Sequence, residues 1–300
     1  MKYLEQELIS VPVGKGRVNA LYYRALNNES DKRKTIIIHI HGFLGNFLDG
    51  SQRFLPPILA KAGYSSISIN TRMANFGLFF GFGIVDDTVP QIDGVIRYLG
   101  EMGYEKIILS GYSLGGGVVL RYLSVKNCQS NCDESGLIKG VIGLATPYSI
   151  PDSIRRRWNK WESQPSYDEV YEEAKMILGD NPHDSEQDRT ILIFKARGNS
   201  YRPEHTEIYT YKTWWFLAGP EATAVKSYRQ IENIKLPILL IQGWDDAFVK
   251  PDETHSLAQI AIDNGNDDVS AYYLNTGHTL EGKEEDMGDI ITRWLDRRFV

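Results

Sequence analysis

The feature that most limits the fold is a recurring pair: a short, β-branched apolar run followed by a segment with helical spacing. Thr35–Ile40 (TIIIHI) is the first such run. Apolar side chains point to both of its faces, which reads as a central strand covered on both sides, the pattern of a parallel sheet. The same signal returns at residues 64–69, 106–110, 137–144, 237–241 and 269–274. Helical patterns lie between most of these, at residues 53–62, 88–102, 114–125, 252–264 and 284–297. Strands that alternate with helices predict a mostly parallel sheet with helices on both faces. Residues 7–13 and 17–24 alternate apolar and polar around Val13-Gly14-Lys15-Gly16, so the sheet is entered through an antiparallel hairpin, closed by the charged loop 27–34.

The alternation breaks between residues 148 and 235. Helix-like sequence at 154–161 and 167–178 is followed by two strand-like runs, 190–195 and 206–213. Four of the six tryptophans fall here: Trp158, Trp161, Trp214 and Trp215. The expected organisation is a core of residues 1–147 and 236–300 carrying an inserted cap over residues 148–235. Trp214 and Trp215, with Tyr112 from the core, are candidate substrate contacts. Aromatic residues also serve a small inserted layer by packing it onto its host.

Composition excludes several classes. With 42% hydrophobic and 24% charged residues, the 300-residue chain has the balance of a soluble globular protein with a sizeable core. A net charge of −6 provides no field for nucleic acid. The one basic cluster, Arg155-Arg156-Arg157 with Lys160, precedes acidic residues 168–173 and reads as the solvated face of a helix. The N-terminus lacks the apolar stretch of a secretory signal, and no apolar segment approaches the length of a membrane span, so a cytoplasmic location is expected. Cys128 and Cys132, with no second pair to complete a thiolate site, read as incidental thiols in a reducing compartment.

Chemistry concentrates at strand ends. Gly111-Tyr112-Ser113-Leu114-Gly115 joins the strand ending at 110 to a helix beginning at 114. An abrupt strand-to-helix turn strains its corner residue, and glycines on either side let strand and helix approach it. Ser113 is thereby presented as a nucleophile at a helix N-terminus, where backbone N–H groups can stabilise an oxyanion. The Leu114 N–H is one donor. The second is expected from His41-Gly42-Phe43-Leu44-Gly45-Asn46, after the first parallel strand, from Phe43 with Leu44 as the alternative. His39 and His41 share a strand face, but no third ligand is evident and no metal site is expected.

A serine hydroxyl needs a base, and the base an orienting acid. Of six histidines, His278 lies just beyond the last strand, at the same sheet edge as Ser113. The acid is expected past an earlier strand end, in Gln242-Gly243-Trp244-Asp245-Asp246-Ala247-Phe248-Val249. Spacing alone does not separate Asp245 from Asp246.

These residues together resemble the α/β-hydrolase superfamily, from about residue 7 to the C-terminus apart from the cap. HGFLG, GYSLG, GWDDAFV and the late Gly-His pair occur in that family's order of serine, acid and histidine. The resemblance implies an α/β-hydrolase fold and favours Asp246, which follows a strand-end glycine by three positions and precedes a valine by three. A serine at 113 departs from members with an aspartate nucleophile, the dehalogenases and epoxide hydrolases. Asn70-Thr71-Arg72 and Asp86-Asp87 match family positions with a structural role. The run 78–83 is more apolar than this loop tends to be, and serves either as a greasy pocket wall or as core packing.

The resulting expectation is a serine hydrolase of a small-molecule carboxylic ester with a hydrophobic or aromatic part, using Ser113, His278 and Asp246 without a cofactor. The same triad also serves thioester and amide cleavage or acyl transfer. A non-catalytic binding protein on the same fold would typically have lost a triad member.

Overall fold

The computed structural model describes residues 5–26, 32–75, 80–126, 136–195 and 206–300. Cys128, Cys132, His205 and part of the charged loop 27–34 lie outside these residues. Two strands, β1 (Gln6–Val13) and β2 (Gly16–Tyr23), form the antiparallel entry hairpin. The chain then enters β3 (Thr35–Ile40), α1 (Leu55–Lys61), β4 (Ser65–Ile69), a two-residue strand β5 (Phe80–Gly81) and α2 (Val89–Glu101). It continues through β6 (Lys106–Tyr112), α3 (Leu114–Val125) and β7 (Ile138–Leu144). The last core elements are β10 (Ile238–Gly243), α8 (Pro251–Asp263), β11 (Val269–Leu274) and α9 (Glu284–Phe299).

The eight-stranded sheet has the order β1-β2-β4-β3-β6-β7-β10-β11. From β4 to β11 every neighbouring pair is parallel. Alternation along each strand divides the core in two. Ile36, Ile38 and Ile40 of β3 pack in one cluster with Ile92 and Val95 of α2, Val119 of α3 and Leu257 of α8. Ile37 packs in the other with Leu55 and Leu59 of α1 and Ile291 and Trp294 of α9. Burial on both faces is why these strands read as continuous apolar runs. No helix among the described residues is long and apolar enough to cross a membrane.

Between β7 and β10 the chain forms α4 (Ile150–Lys160), α5 (Tyr167–Leu178), β8 (Thr190–Ile193), β9 (Glu207–Thr210), α6 (Tyr211–Leu217) and α7 (Ser227–Ile231). One feature departs from the sequence reading. The strand expected to run to residue 213 stops at Thr210, whose side chain accepts the Thr213 N–H and so caps α6. A polar cap outweighs the aromatic and β-branched character of the segment. Of the apolar run 78–83, residues 78 and 79 lie outside the described residues, and the backbone of Phe80–Gly81 pairs with Ile208–Tyr209 to form a second sheet, β5-β9-β8. Gly81 is required there, because a Cβ would stand 2.6 Å from the Tyr209 ring. The last helix of this stretch, α7, packs against α3 and α8.

Candidate active site

The turn at Ser113 follows from its neighbours. Ser113 itself has φ 52° and ψ −119°, a region that costs an L-residue on the order of 1–3 kcal/mol. Its N–H is held by the Leu144 carbonyl at 2.8 Å. A Cβ at Gly111 would lie 2.1 Å from the Gly115 carbonyl oxygen, and one at Gly115 would lie 2.2 Å from the Ile40 carbonyl oxygen. Both contacts are with backbone, so neither can be relieved by a side-chain rotation. Gly115→Ala is therefore expected to destabilise the protein by roughly 3 kcal/mol or more. Gly117→Ala, two residues along the same helix, would meet only the Ser227 hydroxyl at 3.3 Å and should change stability by about 1 kcal/mol or less. Urea unfolding of the two variants checks this, and equal losses would refute it.

Ser113, His278 and Asp246 converge. His278 Nε2 lies 3.0 Å from Ser113 Oγ, and its Nδ1 lies 2.7 Å from Asp246 Oδ2. The second Asp246 oxygen accepts the Phe248 and Val249 N–H groups at 2.7 and 2.9 Å. Gln242 Nε2 donates to Oδ2 at 2.9 Å and to the Val249 carbonyl at 3.0 Å, while its own oxygen accepts the Thr254 hydroxyl. Burial alone would raise the Asp246 carboxyl. The His278 hydrogen bond and charge, with the Val249 and Phe248 N–H groups, outweigh it and hold the carboxyl below its ordinary value. Asp245 is exposed, and its backbone N–H is bonded to the Thr276 carbonyl. Gln242, which the sequence did not mark, thus fixes both the acid and the loop that carries it.

The two expected oxyanion donors lie on elements next to Ser113. Leu114 opens α3, where the first N–H groups have no acceptor within the helix. Phe43 and Leu44 line the cavity beside Ser113, on a tight turn closed by the Gly45 N–H to the Gly42 carbonyl at 3.2 Å. Leu44 takes the left-handed φ of 55° that the turn requires. Neighbouring loops brace this one: Asn70 Oδ1 accepts the Phe47 N–H, and Asn75 N–H donates to the Gly45 carbonyl. His41 Nε2 lies 2.9 Å from the Thr71 hydroxyl. Burial lowers His39 to about 3 and His41 to about 4, so both are neutral side chains of the scaffold. Among the described residues no group of three His, Cys, Asp or Glu side chains could hold a metal ion.

The cavity over Ser113 has a volume of about 220 Å³. Tyr112 lines it and its ring lies 5.4 Å from that of His278. Trp214 and Trp215, the expected contacts from the inserted region, do not line it. Trp214 is fully buried against Trp158 and Tyr167, and Trp215 stacks on Tyr171 at 5.5 Å. Both face the interior of the inserted layer, because α6 packs on α5. The cavity wall comes instead from one face of α4 and the turn after it: Ile150, Ile154, Arg157, Trp158 and Trp161. Their spacing of three and four was visible in the sequence. Phe248, Lys195, Glu207 and Tyr209 complete the wall, and the Tyr209 ring stacks on Phe43 at 5.5 Å.

No family model and no curated protein sequence matches the chain. Solved structures do superpose on it across nearly its whole length. An esterase of Pyrococcus furiosus is 15% identical with a TM-score of 0.64, covering 99% of this chain and 92% of its own. Est1E of Butyrivibrio proteoclasticus is 15% identical with a TM-score of 0.64, covering 97% and 98%. The esterase domain of a Rhodothermus marinus protein is 16% identical with a TM-score of 0.62, covering 99% and 100%. Strand order, the parallel sheet with helices on both faces and these superpositions agree on one conclusion: the chain has the α/β-hydrolase fold.

Proposed function

We propose that the protein is a serine hydrolase that cleaves a carboxylic ester with a hydrophobic or aromatic part through an acyl-enzyme on Ser113. The observation that carries this reading is the continuous hydrogen-bonded line from Ser113 through His278 to Asp246 beneath a walled cavity. The esterases among the superposed structures support the same choice of bond.

In this mechanism Ser113 Oγ attacks the ester carbonyl carbon while its proton passes to His278 Nε2. The oxyanion is held by the N–H groups of Leu114 and Phe43. Collapse breaks the carbon–oxygen bond to the alcohol, which leaves with the proton from His278. A water then gives its proton to His278, attacks the acyl carbon and releases the acid, returning the proton to Ser113. Asp246 stays ionised throughout and keeps the imidazole in the productive tautomer. No step calls for a cofactor.

The cavity dimensions favour a small ester, with its apolar portion against Phe43, Ile154, Trp158 and Phe248. A fluorophosphonate probe is expected to label the protein once, on the peptide that contains Ser113, with loss of turnover on a short p-nitrophenyl ester in parallel. Intact-mass and peptide mass spectrometry check this, and absence of labelling in folded protein would overturn the reading.

A further inference from the structure

A second cavity, of about 180 Å³, lies between α9 and β11, the outermost strand of the main sheet. Ser270 and Tyr272 line it from β11, and Arg293, Trp294, Arg297 and Arg298 line it from the last turns of α9. It shares no residue with the cavity over Ser113. Ser270 stands near the start of β11 whereas His278 follows its end, so this cavity lies toward the other end of the sheet.

The side chains there supply donors without matching acceptors. Arginine and tryptophan side chains donate hydrogen bonds and accept none, and no carboxylate lines the cavity. Arg298 is neutralised, because both oxygens of Asp268 hold it, and its guanidinium carbon lies 5.0 Å from the Trp294 ring centre. Arg293 gives its Nε–H to the Asp289 carbonyl at 3.2 Å and forms no ion pair among the described residues. Arg297 forms neither a hydrogen bond nor an ion pair among the described residues. Asp296, beside it in sequence, is engaged elsewhere, by Lys32 at 3.0 Å and the Tyr64 hydroxyl at 2.6 Å. The Trp294 indole N–H is buried with no acceptor in the protein, which costs free energy. Arg293 and Arg297 stand four residues apart on one helix face, where like charges repel. A helix C-terminus favours cations in its last turn, which accounts for Arg297 and Arg298. It accounts neither for Arg293, a turn further back, nor for the indole N–H.

We propose that this cavity is a binding site for a phosphate group, either the free ion or one carried by a small organic molecule, held by Arg293 and Arg297. A carboxylate has two oxygens in one plane and is matched by a single guanidinium. Here two guanidinium groups a helical turn apart, with Trp294 between them in sequence, face two hydroxyls on the neighbouring strand. A tetrahedral phosphate offers acceptor oxygens in enough directions to meet donors on both sides. The Tyr272 ring, 41% exposed at the same cavity, gives an organic substituent a surface to rest on. The site is independent of the chemistry at Ser113.

Titration of the whole protein with inorganic phosphate tests this, followed at the indole N–H cross-peaks of its six tryptophans in heteronuclear NMR spectra, with chloride holding the ionic strength constant. The Trp294 cross-peak is expected to move saturably, with half-saturation in the low millimolar range or below. Those of Trp158, Trp161, Trp214, Trp215 and Trp244 should stay in place. Arg293→Gln combined with Arg297→Gln should weaken binding by about 10-fold or more, since each removes a charge-assisted hydrogen bond. Both side chains are exposed, so the remaining cross-peaks should keep their positions in that variant. Phenyl phosphate binding more tightly than inorganic phosphate would identify an organic phosphate resting on Tyr272. Equal binding would identify the free ion, and either result upholds the site. A Trp294 cross-peak unmoved by both compounds, moved equally by acetate, or moved alike in the double variant would overturn the proposal.

Discussion

Replacing Ser113 with alanine is expected to lower kcat/KM on a short p-nitrophenyl ester by about 10⁴- to 10⁶-fold, the range seen when a triad serine is removed and the remaining site is left standing. The fold should survive the change. Alanine has the same Cβ as serine, so the strain at φ 52° is neither added to nor relieved. The Ser113 N–H to Leu144 bond is a backbone contact that either residue makes. Circular dichroism and a melting temperature within a few degrees of the parent would establish that only the hydroxyl has gone. Undiminished turnover by such a folded variant would remove Ser113 from the chemistry.

The second large effect separates the adjacent aspartates. Asp246→Asn should cost roughly 10⁴-fold in kcat, because an amide facing His278 Nδ1 no longer fixes the imidazole tautomer. Asp245→Asn alters an exposed side chain whose backbone makes the local contact, and should change kcat less than about 3-fold. Asp246 also makes stability depend on pH. The folded Asp246 carboxyl is held below its ordinary value, so its stabilisation is complete above the ordinary carboxylate pKa and is lost as pH falls through the lowered one. The stability gap between the parent and Asp246→Asn should therefore narrow on acidification. Urea unfolding of the parent and Asp246→Asn at pH 7 and at successively lower pH reads this. A larger kinetic loss for Asp245→Asn would reassign the acid.

The core was legible because its strands are buried twice. Ile36, Ile38 and Ile40 feed one cluster and Ile37 the other, which leaves a continuous apolar run in the sequence. The nucleophile turn was legible because glycine at 111 and 115 answers a backbone collision, and collisions leave few alternatives in sequence. The inserted region was harder. Trp214 and Arg157 each occupy helical faces whose partners are distant in sequence, so the sequence left the tryptophan between pocket contact and packing and read the arginine as solvated. The structure buries Trp214 against Trp158 and Tyr167 and sets Arg157 in the cavity wall. Thr210 shows a missed local signal, since a threonine that accepts the N–H three residues on begins a helix even where Trp214 and Trp215 favour a strand. Gln242 left no such trace. A buried amide that serves an acid four residues away looks, in sequence, like any polar residue at a strand end.

The pairing of Phe80–Gly81 with Ile208–Tyr209, and the Tyr209 ring on Phe43, bear on how specificity in this protein can be re-engineered. A strand from the core loop completes the inserted sheet, and a ring from that sheet rests on the loop beside the nucleophile. Exchanging residues 148–235 for the corresponding segment of another hydrolase would strip β5 of its partner and Phe43 of its stacking ring. The region over the site is thus not an interchangeable module. New substrate ranges are better sought by single replacements along the inner face of α4, where Ile150, Ile154 and Arg157 can change without unstitching the two sheets.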